Sequence, residues 1–171
     1  MTTTHRTAPV ASNWQVASTV LELLDRARTT LLAACAADTA GERYVAALLG
    51  ALRAAAALLA ARSRSVPRSR PRSVWEMLPT VAPDLAEWAV FFAGSARRRS
   101  AFERGSDTAT SREADDLLRQ SATFLELVQA DLGLPISAPL PSFMTPAAPV
   151  APAAPVASVV STARSRQGPG E

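Results

Sequence analysis

From Val45 to Ala61 only Gly50 and Arg53 interrupt an unbroken apolar run. A helix that is apolar on every side has to be surrounded by protein, so Glu42 to Arg62 is predicted to be the central helix of a bundle. As a membrane span it falls short. The run is shorter than the ~20 residues a bilayer needs, it is mostly weakly hydrophobic Ala, and Arg53 at mid-span costs roughly 2.5–3.5 kcal/mol.

The helix starts are marked by one device, the capping box, in which a Ser or Thr side chain and a Glu three residues on satisfy each other's backbone donors. Four matches precede apolar patterns: Thr19 with Glu22, Thr39 with Glu42, Ser73 with Glu76, and Thr110 with Glu113. Helix one is predicted from about Thr19 to Ala37, with Val20, Leu23, Leu24, Ala27, Leu31 and Cys35 on one face. After the central helix, Ser73 to Met77 makes a short helical turn that Pro79 should end or kink. Pro83 suits the first position of the next helix, whose apolar face is Leu85, Trp88, Ala89, Phe92 and Ala96 and which should fade after Phe102. The last helix runs from about Ser111 to Leu132, with Gly133 as its stop. The fold expected is all-α, an up-and-down bundle of four main helices plus one short helix over residues 18–133. A disordered N-terminal arm (1–17), whose Trp14 docks back onto the bundle, and a disordered Pro/Ala-rich tail (134–171) flank it.

Composition changes this picture little. Every basic side chain but His5 is Arg, so the pI of 10.3 reflects the absence of groups titrating near neutrality more than an excess of charge. Between Ser18 and Gly133 fifteen arginines meet fourteen acids, a net of +1. Any affinity for nucleic acid must therefore come from local clusters. A lone cysteine, Cys35, excludes an internal disulfide or a Cys-rich zinc site. The opening MTTTHRTAPVAS lacks the apolar core of a secretory signal, so a cytoplasmic location is expected.

The segments ERY at Glu42–Tyr44, ALRAAAALLAAR at Ala51–Arg62, VWEMLPTVAPDLAEWAVFFA at Val74–Ala93 and READDLLRQSATFLELV at Arg112–Val128, with the basic Pro and Arg loop among them, carry a resemblance. Together they resemble the HEPN domain superfamily, in its actinobacterial, Streptomyces-type SAV-like branch. The resemblance implies an all-α bundle, often a homodimer, in a superfamily with many RNA-cleaving members. Their catalytic motif is an Arg followed, after four to six intervening residues, by a His. Arg112 resembles that Arg, with Asp115 and Asp116 as a remnant of the site, but the following positions are Leu117, Leu118 and Arg119. The only histidine is His5, so the acid or base that RNA cleavage needs is missing.

Three arginine groups remain. Arg53 inside the central helix needs a carboxylate, and a hairpin turning near Asp38 sets it level with Asp25, predicting a structural ion pair. Arg97, Arg98 and Arg99, with Arg104, come opposite Glu113, Asp115 and Asp116, so mutual neutralisation is expected over an anion site. The loop arginines Arg62, Arg64, Arg68, Arg70 and Arg72 have no acid nearer than Glu76. They are either a phosphate-contacting segment or a solvated connector. No phosphate loop, metal-ligand cluster or nucleophile with a usable His is present, so no catalytic residue, metal, cofactor or small-molecule substrate is expected. The function expected is a non-catalytic HEPN-like module that binds a protein partner or RNA as a homodimer. The alternatives are a scaffold that recruits through its Pro/Ala tail and, more weakly, an RNA-cleaving enzyme.

Overall fold

The computed structural model describes residues 10–62, 73–104 and 108–141. Its helices are α1 (Val10–Cys35), α2 (Ala40–Arg62), α3 (Val74–Val81), α4 (Ala86–Glu103, entered through a 3-10 turn at Pro83–Leu85) and α5 (Ser111–Asp131). No strand occurs among the described residues. This is the all-α bundle the periodicity predicts.

α2 packs on α1, α3, α4 and α5. Ala47, Ala51, Ala54, Ala55, Ala57 and Leu58 are fully buried, so the small side chains of α2 let its neighbours come close. Closest is the crossing with α1, where a Cβ on Gly50 would lie 2.5 Å from Leu31 Cδ2. Only glycine fits there. α2 is the one described helix long and apolar enough to cross a bilayer, yet 56% of its most apolar window is already buried inside the bundle.

Two ion pairs fix helix direction. Arg43 near the start of α2 meets Asp115 near the start of α5 at 3.0 Å, and Arg62 at the end of α2 meets Asp131 at the end of α5 at 2.7 Å. α2 and α5 therefore run parallel as a central pair. On one flank lies α1. On the other, Trp75 of α3 and Trp88 and Phe92 of α4 cluster around Phe124 of α5, with ring centroids 5.0–6.3 Å apart. Offset and edge contacts of this kind add about 0.5–1.5 kcal/mol per pair beyond burial.

Three of the four capping boxes form, at Thr39, Ser73 and Thr110. The fourth does not, and the helix boundary moves with it. No Gly or Pro lies between Pro9 and Thr19, so α1 extends back to Val10 and half of the expected N-terminal arm is helix. Thr19 lies in its interior, its hydroxyl donating to the Gln15 carbonyl at 2.9 Å, and Trp14 stands 73% exposed instead of docking. Pro79 does not end α3 either. It forgoes one bond to the Trp75 carbonyl, and the helix continues to Val81, anchored by buried Trp75 and Leu78.

Gly133, at φ +67°, closes α5 as expected: its N–H donates to the Ala130 carbonyl and that of Leu134 to Gln129, the paired bonds of a Schellman motif. The chain beyond it is not free, contrary to expectation. Ser137 exchanges hydrogen bonds with the buried Gln129 amide, Arg28 donates to the Ala138 carbonyl at 2.7 Å, and Leu134 and Leu140 pack on the core. Residues 134–141 thus form a strap over α1 and α5.

Candidate interaction surface

Of the arginines predicted as sites, Arg53 and Arg62 make structural contacts. Arg53 donates to the Arg26 carbonyl and the Thr30 hydroxyl, while Asp25 is exposed and is not its partner. The hairpin register put Arg53 at the right level of α1 but on the wrong side. Asp25 precedes Arg26 by one residue, about 100° around the helix. Arg62 is likewise committed, pairing with Asp131 and donating to the Val81 carbonyl at 3.0 Å, so it does not belong to a free basic loop. Arg64, Arg68, Arg70 and Arg72 lie outside the described residues.

At the start of α5 the charges sort themselves by partner. Arg98 reaches Glu113 at 2.7 Å, as the hairpin predicts, and lies over the Phe102 ring at 5.5 Å. Asp115 goes instead to Arg43, which also donates to the Ala37 carbonyl at 3.0 Å and so ties α5 to the turn between α1 and α2. Sequence reasoning missed Arg43, because pairing by hairpin register considers only consecutive helices. Asp116 is held by Arg119 and, at 3.9 Å, by Arg112, whose own side chain is 92% exposed. Bonds from the Thr110 backbone and hydroxyl hold the Glu113 carboxyl below its ordinary value, with a smaller contribution from Arg98. Burial raises the Tyr44 phenol and the Cys35 thiol, which leaves Cys35 a poor nucleophile.

Among the described residues, the outer side of α4 is an apolar surface that no other helix covers. Leu85, Ala89 and Phe92 point into the core, so at 100° per residue the opposite stripe is Glu87, Val90, Phe91, Gly94 and Arg97. Val90 is 71% and Phe91 43% exposed. Gly94 sits at the middle of this stripe, and a Cβ there would meet nothing nearer than Arg97 Nη2 at 3.9 Å. Glycine in a helix interior costs about 0.5–1 kcal/mol relative to alanine. At Gly50 packing explains that cost; at Gly94 nothing among the described residues does.

A groove borders the stripe on each side. One, of about 450 Å³, runs between α3 and α4 over Trp75, Pro79, Ala89, Ala93 and Ala96. The other, about 190 Å³, lies between α4 and α5 beside Tyr44, Phe91, Arg98 and Glu113. Among the described residues no group of His, Cys, Asp and Glu could hold a metal ion. The chemistry on offer is apolar contact edged by charge.

Residues 34–129, more than half of the chain, match the family model of SAV-like HEPN domains. No curated protein and no solved structure matches it.

Proposed function

The chain belongs to the SAV-like HEPN family, and on that premise we propose that it is a non-catalytic helical binding module of the cytoplasm that works as a homodimer, two copies meeting along α4. Gly94 carries the reading. A helix pays for an interior glycine with no intramolecular contact when a second backbone must approach closely.

Charge along α4 favours a second copy as that partner. Asp84 and Glu87 precede Gly94, Arg97 and Arg104 follow it, and all four are exposed. An antiparallel two-fold crossing at Gly94 sets equidistant positions opposite one another. It brings Phe91 of each copy to Arg97 of the other and the acidic half of each stripe to the basic half of its mate. The absence of catalysis is supported by chemistry at Arg112. A guanidinium does not titrate, the positions where the family's His would stand hold Leu117, Leu118 and Arg119, and both nearby carboxylates are engaged by arginines.

Light scattering tests the pairing. The wild-type chain should show twice its 18.0 kDa mass, and Gly94→Leu or Phe91→Asp should return it to a single copy with unchanged helix content. A wild type that stays monomeric to about 100 µM, the concentration at which even a weak complex half-forms, refutes the reading; so do variants that remain dimeric. Incubation with single-stranded RNA should give no cleavage, and cleavage abolished by Arg112→Ala would show an enzyme instead.

A further inference from the structure

The groove between α3 and α4 is lined mainly by Trp75, Pro79, Ala89, Val90, Ala93 and Ala96, joined by Glu76 and Arg97, whose charges are opposite. A surface so largely apolar and without net charge suits an uncharged ligand with a regular apolar edge. The chain contains one. Residues 142–163 carry no charged side chain, and within them the hexapeptide PAAPVA occurs twice in tandem, at 146–151 and 152–157. Prolines consequently fall at Pro146, Pro149, Pro152 and Pro155, one every three residues.

Three residues is the repeat of the polyproline II helix, which rises about 3.1 Å per residue. In that conformation all four prolines share one edge, about 9 Å apart. Along α4 the groove lining extends from Ala89 to Ser100, about 16 Å at 1.5 Å per residue. Two successive prolines fit within it. Pro-rich ligands of this kind dock in aromatic-lined grooves because their stiff backbone loses little entropy on binding, and Trp75, 7% exposed, is among the residues lining this one.

We propose that the α3/α4 groove binds the proline edge of residues 146–157, so that the chain carries the ligand of its own groove. Reach permits it. The strap is pinned to α1 by the Arg28 bond to Ala138. From Pro141, Pro146 lies five residues on and Pro155 fourteen, up to roughly 16 and 46 Å at about 3.3 Å per residue. The longest helix, α1, has 26 residues and is about 39 Å long, so the later prolines of the repeat reach the groove while Pro146 stays on the near side. The inference does not rest on the pairing of α4, which is read by mass rather than by the state of the groove.

The test uses the full chain labelled with 5-fluorotryptophan, in which Trp14, Trp75 and Trp88 give separate fluorine resonances. Replacing the four prolines by serine (P146S, P149S, P152S, P155S) should move the Trp75 resonance and leave that of Trp14 in place. A synthetic peptide of residues 144–158 added to this variant should restore the wild-type position. Its half-saturation is expected near the millimolar range, since a short flexible tether supplies an effective concentration on the order of mM. Pro79→Arg, on the α3 wall of the groove and outside the α4 stripe, should make the proline variant blind to the peptide while helix content and mass stay those of the parent. Identical Trp75 resonances in the wild type and the proline variant overturn the proposal. So does a peptide that shifts Trp75 equally well after Pro79→Arg.

Discussion

Gly50→Ala is expected to destabilise the bundle although it replaces glycine with the best helix former. In the middle of α2 the propensity gain is about 0.8–1.0 kcal/mol. Against it stands the α1 crossing, where the new methyl group would lie 2.5 Å from Leu31 Cδ2, 2.8 Å from its Cγ and 3.4 Å from the Ala27 carbonyl. Leu31 is fully buried and borders a void of only about 10 Å³, too small for a methyl group, so α1 and α2 must move apart. Overpacking of this size costs about 1–3 kcal/mol. The net loss is about 0–2 kcal/mol, and the informative quantity is the difference from Gly41→Ala, where a Cβ meets nothing within 4 Å. Urea denaturation of the two variants should separate them by about 1–3 kcal/mol. A cycle with Leu31→Ala completes the test: that change alone costs about 2–5 kcal/mol, and with the clash removed Gly50→Ala should become stabilising. Equal stabilisation by Gly41→Ala and Gly50→Ala, or strict additivity with Leu31→Ala, would refute the reasoning.

The pair Arg43–Asp115, with side chains only 21% and 17% exposed, should lose about 2–3 kcal/mol when either partner is replaced, less than the 3–5 of a fully buried pair. Arg43→Met with Asp115→Leu should recover part of that in chemical denaturation. Glu113, held below its usual 4.5, contributes stability that is present at neutral pH and lost as pH falls through its depressed value. The melting-temperature gap between the wild type and Glu113→Gln should therefore close below pH 4.5, and a gap that widens in acid would reverse the sign of the argument. Truncation after Gly133 should lower stability by about 1–3 kcal/mol, because it leaves the buried Gln129 amide without Ser137. Truncation after Pro141 keeps those bonds, so equal melting temperatures for the two truncations would show the strap to be idle.

What the chain's own order of residues determined is whatever acts within a turn or two of helix. The apolar run of α2 had to be surrounded, three Ser or Thr and Glu pairs set helix starts, and Gly133 set an end, each through groups at most five residues apart. The hairpin register also placed Arg98 against Glu113 and Arg53 at the level of Asp25, one residue from the Arg26 carbonyl it uses. Everything that depends on how helices rotate about their axes was left to the tertiary structure. One residue of azimuth separates Asp25 from the carbonyl that Arg53 uses. The parallel contact of α2 with α5 joins Arg43 to Asp115 across 72 residues, a pairing no local period encodes. Packing likewise carried α3 through Pro79 and folded residues 134–141 back over the bundle, because burial of Trp75, Leu78 and Gln129 outweighs the local preference of proline. The outer stripe of α4 divides between the two. The helical period already set Leu85, Ala89 and Phe92 inward and so left Val90, Phe91 and Gly94 off the core face, but only the packing of the bundle decided that no other described helix covers them.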